Sequence, residues 1–214
     1  MAAQSTLKNM VLCLGIICLV SSAVLAGVYA LTKEPIAAAA AAKTNNAITQ
    51  VVPAYDGEPE AASIEAGGQQ YDYYIVKKDG EVAGYAITAS ATGFGGPVTV
   101  MVGVTADGTV YNTSVLSQSE TPGLGAKCTE PEFADQFKNL DPASVKLAVT
   151  KDGGDIDAIT ASTITSRAYV GAVNNALAVY RAIVEGSTPD VSTGATVPAA
   201  DGQDAEECQT QQSK

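Results

Sequence analysis

Five hydroxyls crowd the stretch Asp157-Ala-Ile-Thr-Ala-Ser-Thr163-Ile-Thr-Ser-Arg167, and an apolar stripe follows it. Val170, Val173, Leu177, Tyr180 and Val184 recur at spacings of 3, 4, 3 and 4, the period of one helix face. The hydroxyls therefore stand at a helix N-terminus. There the first backbone N–H groups lack intrahelical partners and the peptide dipoles leave partial positive charge, so a phosphate is stabilised. Thr160, Ser162 and Thr163 can each cap that helix, and each carries a hydroxyl open to esterification. Capping alone explains such residues in most proteins, because Ser, Thr and Asp oxygens accept the free N–H groups. On the residues alone both uses stay open.

A second stretch, Glu120-Thr-Pro-Gly-Leu-Gly-Ala-Lys127, has the make-up of a loop that touches a ligand or simply turns the chain. Gly123 and Gly125 permit close backbone approach and Pro122 stiffens the loop.

The elements that must position these two stretches come earlier in the chain. Tyr71–Val76, a Lys77-Lys-Asp-Gly80 turn and Glu81–Thr88 read as one β-hairpin; Pro97–Val104, Ala106-Asp-Gly108 and Thr109–Leu116 read as a second. Both turns contain Asp-Gly, which tolerates the positive φ that tight hairpins need. The middle of the chain is therefore expected to be an antiparallel sheet with one face on a core. Glu130–Phe137 reads as a short helix beginning after Thr129, with Phe133 and Phe137 on one face as core residues. Val145–Val149 reads as a further strand, and Lys151-Asp-Gly-Gly154 as the turn into the hydroxyl stretch. Beyond Glu185 the sequence is rich in Ser, Thr, Gly, Pro, Gln and acids, the composition of a disordered tail.

Composition removes several functions. The 214-residue chain has no His and no Trp and a net charge of −11. Histidine general bases, His-ligated metals and haem ligation by His are excluded, and with so few cations nucleic-acid binding is disfavoured. Cys13 and Cys18 lie in an apolar run, where they act as small hydrophobes; Cys128 and Cys208 remain as a weak disulfide option, with no spacing suited to a metal.

Met10–Leu31 carries no charge and is dominated by Leu, Val, Ile, Ala and Cys, long enough to cross a bilayer as one helix. A cleaved signal peptide is the rival, with Val24-Leu-Ala26 or Val28-Tyr-Ala30 as cleavage sites, but signal cores run only about 7–15 residues. Glu34-Pro35 is expected to end the span, and the Ala37–Ala42 run to form a stalk or spacer. The expected organisation is a short N-terminus (1–9), a transmembrane helix (10–31), a stalk and start of the domain (32–69), the domain itself (70–184) and an acidic tail (185–214).

The hydroxyl stretch resembles the flavinylation motif of the FMN-binding domain family, in which an Asp, two variable residues, Ser or Thr, usually Gly-Ala, and a final Thr precede Ile-Thr-Ser-Arg. Glu-Thr-Pro-Gly-Leu-Gly is similar to that family's second hallmark, a loop that helps form the flavin pocket. A His often shortly precedes this loop in the family; Gln118 stands nearest that place here. The resemblance implies an α+β fold, a single N-terminal transmembrane helix followed by a small antiparallel-sheet FMN-binding domain with a long C-terminal helix. It implies covalent FMN, with Thr163 as the acceptor of the phosphoester. Asp157, Thr160, Ser162, Ile164 and Thr165 then stand beside it in the motif, and Thr121, Gly123, Leu124, Gly125 and Lys127 in the loop. Ala161-Ser162 replaces the usual Gly-Ala, small residues for small ones.

Asp190-Val-Ser-Thr-Gly-Ala-Thr196 matches the short motif more literally, but Pro198 and Gly202 break any helix after it. A flavin needs walls on several sides, so Thr163 is preferred and Thr196 is the rival.

With one span ahead of both motifs, the chain is similar to the G subunits of Rnf-type ion-translocating electron transport complexes. The C subunits of sodium-pumping NADH:quinone reductases are relatives and an alternative. The resemblance implies an electron relay between ferredoxin and NAD chemistry in a bacterial inner membrane. The N-terminus would be cytoplasmic and the domain periplasmic, the other proteins of the complex would be partners, and a flavin transferase would load FMN. A membrane-anchored binding domain without flavin is the reading from another class.

Overall fold

The computed structural model describes residues 7–67, 69–186 and 191. They fall into two units, one ending at Asn46 and the other beginning at Ala47. The first unit is most of one helix, α1 (Leu7–Val51). Its apolar side chains are bare, Leu19 and Leu25 each 71% exposed, and it is long and apolar enough to cross a membrane. Thr32 satisfies its hydroxyl within the helix by donating to the Val28 carbonyl at 2.9 Å. Pro35 lies inside α1 and does not end it. Proline removes one helical hydrogen bond, but the alanines from Ala37 onward are the strongest helix formers and carry the helix through.

The second unit is a five-stranded antiparallel meander in the order β1-β2-β3-β4-β5. The strands are β1 (Asp56–Ala66), β2 (Gln69–Lys78), β3 (Glu81–Thr92), β4 (Pro97–Thr105) and β5 (Val110–Ser117). The two expected hairpins are β2–β3 and β4–β5. Asp79 and Gly80 both take positive φ in the first turn, the geometry its Asp-Gly implied. β1 is an additional strand within the expected stalk region. It is the sheet edge, mostly exposed, with a register shift between Asp56 and Glu60. Pro59 and the acids hide it from a strand reading, yet an edge strand is where both are tolerated.

Alternation along β3 and β4 makes two faces. On one face Ile87 pairs with Val102, Ala89 with Val100 and Ala91 with Val98, all buried. Helix α3 (Thr163–Glu185) lies on this face, bringing the small side chains of Ala168, Ala172 and Ala176 into the core. The expected stripe residues Val170, Val173, Leu177 and Tyr180 are buried, whereas Val184 is 58% exposed and Ile183 packs on the core instead. Burial goes well beyond one stripe because the chain between β5 and α3 wraps the helix's other side. Short helix α2 (Pro131–Ala134) and the 3-10 turn after it insert Phe133 and Phe137 against Tyr169, at ring distances of 5.2 and 4.9 Å. Tyr169 donates its hydroxyl to Thr113 Oγ1 at 2.8 Å, and burial raises its pKa.

Residues 145–149 are not a strand. Only Val149 makes a bridge, parallel to Ile156, because the backbone here is taken up locally. Lys146 O accepts the Asp155 N–H, Ala148 O accepts the Ile156 N–H, and Asn174 of α3 donates to Leu147 O. Cys128 is a free thiol in the core. Burial first, and the Glu120 carboxylate second, push it up to about 11, so it is protonated and unreactive at neutral pH. Cys208, Thr196 and nearly all of the 185–214 tail lie outside the described residues; Val191 is half-buried against the main core.

The opposite sheet face is covered by residues 47–52. Ala47, Ile48, Val51 and Val52 form a second buried cluster with Val76, Ala86 and Met101. Gly103 makes this possible, since a Cβ there would occupy the position of the Val51 carbonyl oxygen. Gly103→Ala must therefore lift residues 47–52 off the sheet. We expect it to cost about 2–4 kcal/mol, as for the loss of a buried aliphatic contact. Thermal unfolding of the detergent-solubilised chain should show a lower Tm, with the β-sheet circular-dichroism signal kept at low temperature.

Candidate functional site

The site forms where three chain segments of the second unit reach one carboxylate. Glu120, 6% exposed, lies three residues beyond the end of β5. Its Oε1 accepts the N–H groups of Phe94 and Gly95, at 2.9 and 3.2 Å, from the β3–β4 turn. Its Oε2 accepts the hydroxyl of Thr165, in the first turn of α3, at 2.9 Å. Gln118 Oε1 accepts the Glu120 N–H at 2.6 Å, so the residue at the histidine-like place braces the loop. Gly125 lies against the group: a Cβ there would be 2.6 Å from both Glu120 Oε2 and Thr165 Oγ1.

Thr163 is the first residue of α3, as the hydroxyl pattern requires, and Lys151 Nζ donates to its Oγ1 at 2.9 Å. Ser162 holds the N-cap position but its side chain makes no capping bond, and no acid occupies the first turn. The helix start is instead organised from within by Ser166. Its hydroxyl accepts the Ile159 N–H at 2.9 Å and donates to Ser162 O at 3.0 Å. One turn along, Arg167 makes a two-pronged pair with Asp152, at 2.7 and 2.6 Å. That hydrogen bond, then the charges of Arg167 and Lys151, holds the Asp152 carboxyl below its usual range. A phosphate monoester fits this donor set: uncapped first-turn N–H groups, a lysine on the acceptor oxygen, and a nearby acid already neutralised by Arg167.

The remaining expected residues divide into two groups. Asp157, Thr160 and Lys127 line one cleft of about 340 Å³ with Glu132, Phe133 and Gln136. Gln136 clasps the Asp157 backbone there, accepting its N–H at 2.7 Å and donating to its carbonyl at 3.3 Å. Leu124 and Ile164 are each 44% exposed, and Thr121 O accepts the N–H groups of Leu124 and Ala126 to close the loop around Gly123. Tyr73 and Tyr85 serve the core, Tyr85 edge-on to Tyr180 at 5.4 Å. Sequence reasoning missed Glu120, Lys151, Ser166 and Phe94 as site residues. Glu120 and Ser166 were visible as letters of the two motifs; Lys151 and Phe94 gave no signal apart from their partners.

Ala161 adopts φ +60, a left-handed conformation that costs a non-glycine residue about 1–2 kcal/mol. This turn position is the one the FMN-binding family usually fills with Gly. Ala161→Gly is therefore expected to stabilise the chain by about 1 kcal/mol, the conformational relief less the extra freedom of glycine when unfolded, read as a Tm higher by a few degrees. The Asp152–Arg167 pair has a pH signature. Its stabilisation is complete above the unfolded Asp pKa of about 3.9 and disappears as pH falls through the lower folded value. The Tm gap between the parent chain and Asp152→Asn should be open at pH 6–7 and closed at the acid end of a titration.

The FMN-binding domain family profile matches residues 93–178, from the β3–β4 turn into α3. The RnfG N-terminal region matches residues 1–51. The G subunit of the ion-translocating oxidoreductase complex of Methanosarcina acetivorans is 33% identical over 182 residues, covering 83% of this chain and 96% of that protein. Its counterpart in the Na(+)-translocating ferredoxin:NAD(+) oxidoreductase complex of Acetobacterium woodii is 39% identical over 139 residues, 62% of this chain and 67% of that protein. The corresponding protein of the proton-translocating ferredoxin:NAD(+) oxidoreductase complex of Clostridium ljungdahlii is 34% identical over 167 residues, 77% and 86%. The membrane-length helix, the sheet and α3, and similarity along nearly the whole of a relative lead to one conclusion: the chain is membrane-anchored and belongs to the RnfG family of ion-translocating oxidoreductase complexes, with an FMN-binding domain.

Proposed function

We propose that this chain is the flavoprotein component of a ferredoxin:NAD-linked ion-translocating complex, carrying FMN on Thr163 as a phosphoester and relaying electrons through it. One observation carries the reading: Thr163 opens a 23-residue helix with no acid in its first turn, and Lys151 Nζ lies 2.9 Å from its hydroxyl oxygen. FMN, when bound, supplies one- and two-electron relay chemistry. Lys151 and the first-turn N–H groups hold the phosphate, and Glu120 fixes the loops beside it. The relatives' names support the assignment to such a complex and include both sodium- and proton-translocating members.

Loading is a single transfer by a separate flavin transferase with magnesium. The Thr163 Oγ–phosphorus bond forms, the pyrophosphate bond of FAD breaks, AMP leaves and the hydroxyl proton passes to solvent. Asp157 and Thr160, in their own cleft with Lys127, are the surface the transferase reads. The N-terminus lies in the cytoplasm of a bacterium and the FMN domain on the far side of the inner membrane, where no free flavin pool replaces a lost cofactor. The other proteins of the complex are its partners.

Mass spectrometry of the full chain co-expressed with a flavin transferase tests this directly. The parent protein should carry one FMN phosphoester, lost in Thr163→Ala and kept in Thr196→Ala. Loss in Thr196→Ala instead would move the cofactor to the tail. A colourless parent, with a control substrate loaded normally, would turn the reading to a binding domain without flavin.

A further inference from the structure

β1 ends one side of the sheet, and among the described residues no backbone hydrogen bond reaches its residues 60–66 except from β2. Half of the N–H and C=O groups of such an edge point away from the sheet and offer a template for another strand. The features that usually blunt an edge are missing from this stretch: Pro59 and the register shift come before it, and it holds no lysine. Its side chains alternate. Ala62, Ile64 and Ala66 are the more buried set, the last two packed in the main core, while Ala61, Ser63 and Glu65 are exposed. A residue from far along the chain sits at the end of this edge. Val191 packs on the main core, and a Cβ on Gly67, the residue after β1, would meet Val191 Cγ2 at 2.9 Å. From there the sequence runs Val191-Ser-Thr-Gly-Ala-Thr-Val197, without a charge or a proline, and then Pro198.

We propose that residues 191–197 add to the open edge of β1 as a sixth, antiparallel strand, and that this pairing withholds the second motif copy, Asp190 to Thr196, from the flavin transferase. Val191 fixes both the direction and the register. A segment that starts beside Gly67 and follows the edge runs opposite to β1, and Val191 set across from Ala66 puts two core-facing side chains together, as directly opposed residues require. Thr193 and Ala195 then fall across from Ile64 and Ala62, and Ser192, Gly194 and Thr196 across from the exposed Glu65, Ser63 and Ala61. Pro198 meets Pro59. Neither proline has an N–H to give, so the ladder ends where β1 itself shifts register. Because the strand belongs to the same chain and Val191 is already in place, the pairing is favoured by a high effective concentration. Withholding follows from shape. The stretch Asp157 to Thr163 passes through a left-handed Ala161 into a helix start, whereas a paired strand holds Gly194, its counterpart, extended. This role for the strand rests on Thr163 being the transferase's acceptor; the strand itself does not.

Two measurements on the full chain in detergent test the two halves. For the strand, Cys13, Cys18 and Cys208 are replaced by Ser, and Ala61→Cys is combined with Thr196→Cys, a directly opposed pair within disulfide reach. The control combines Ala61→Cys with Ala195→Cys, whose side chains lie on opposite faces. Mild oxidation should join 61 to 196 within one chain several-fold more than 61 to 195, as mapped by peptide mass spectrometry. Equal yields, or no bond in either, overturn the strand, and a bond formed between two chains overturns it in favour of a second copy on the edge. For the withholding, the chain is co-expressed with flavin transferase. Val191→Asp removes the anchor at a variable position of the motif, so Thr163→Ala should carry no FMN and Thr163→Ala with Val191→Asp should regain it on Thr196. FMN on Thr196 in Thr163→Ala alone, or none in the double variant, overturns the withholding. Absence of FMN from the parent chain overturns the Thr163 reading and the withholding with it, whereas the cross-link decides the strand whether or not flavin is loaded.

Discussion

A carboxylate taken out of water must be met by donors, or its burial costs a large part of the net stability of a fold. Glu120 is met by two N–H groups about 25 residues before it and a hydroxyl 45 residues after it. No local arrangement of the loop could supply these. The donors arrive only when β3 and β4 have paired, which sets the turn carrying Phe94 and Gly95, and when α3 has packed on the sheet, which sets Thr165. The Ala91–Val98 pair beside that turn and the alanine row of α3 thus help to position the site. The aromatic group of Phe133, Phe137 and Tyr169 closes the other side of α3 and keeps its first turn from tilting away.

The start of α3 shows the same logic on a smaller scale. A hydroxyl-rich N-terminus would normally use its side chains on its own N–H groups. Here Ser162 makes no capping bond, and Ser166, fully buried, ties the preceding turn to the helix from below. Thr163 is left with Lys151 as its side-chain partner, on the outside of the helix. The bonds that stabilise the turn and the hydroxyl open to chemistry are thereby separated, at the cost of a left-handed Ala161.

Much of this was legible in the chain itself, because it depended on local pattern. The two Asp-Gly hairpins, the helical period after Thr163 and the membrane-length apolar run are all short-range signals, and each is where the residues indicated. The losses share one cause. β1 reads as an acidic linker because an edge strand needs no apolar face; Val145–Val149 reads as a strand because its backbone partners are nine or so residues ahead and invisible to alternation. Pro35 reads as a stop because propensity counts the lost bond and not the alanines beyond it. Phe94 and Lys151 gave no local cue, since what makes them site residues is the distant group they meet.

The exposure of Phe94, Leu124 and Ile164 bears on why a covalent bond would be used at all. A relay must bring its ring near an incoming electron carrier, so burying the flavin as deeply as an ordinary cofactor pocket does would defeat the purpose. Phe94 at 72% exposure and Leu124 and Ile164 at 44% offer only one side of such a pocket. A surface that shallow would hold free FMN weakly, because the apolar area it removes from water is small and the ligand's lost freedom must still be offset. A phosphoester at Thr163 separates the two requirements. Retention would then rest on a covalent bond at the helix start, and the neighbouring surface would only have to prefer one placement of a ring already present. On the proposed reading, Lys151 holds the phosphate at Thr163, while Glu120, through Thr165 of the same helical turn, fixes the loops beside it.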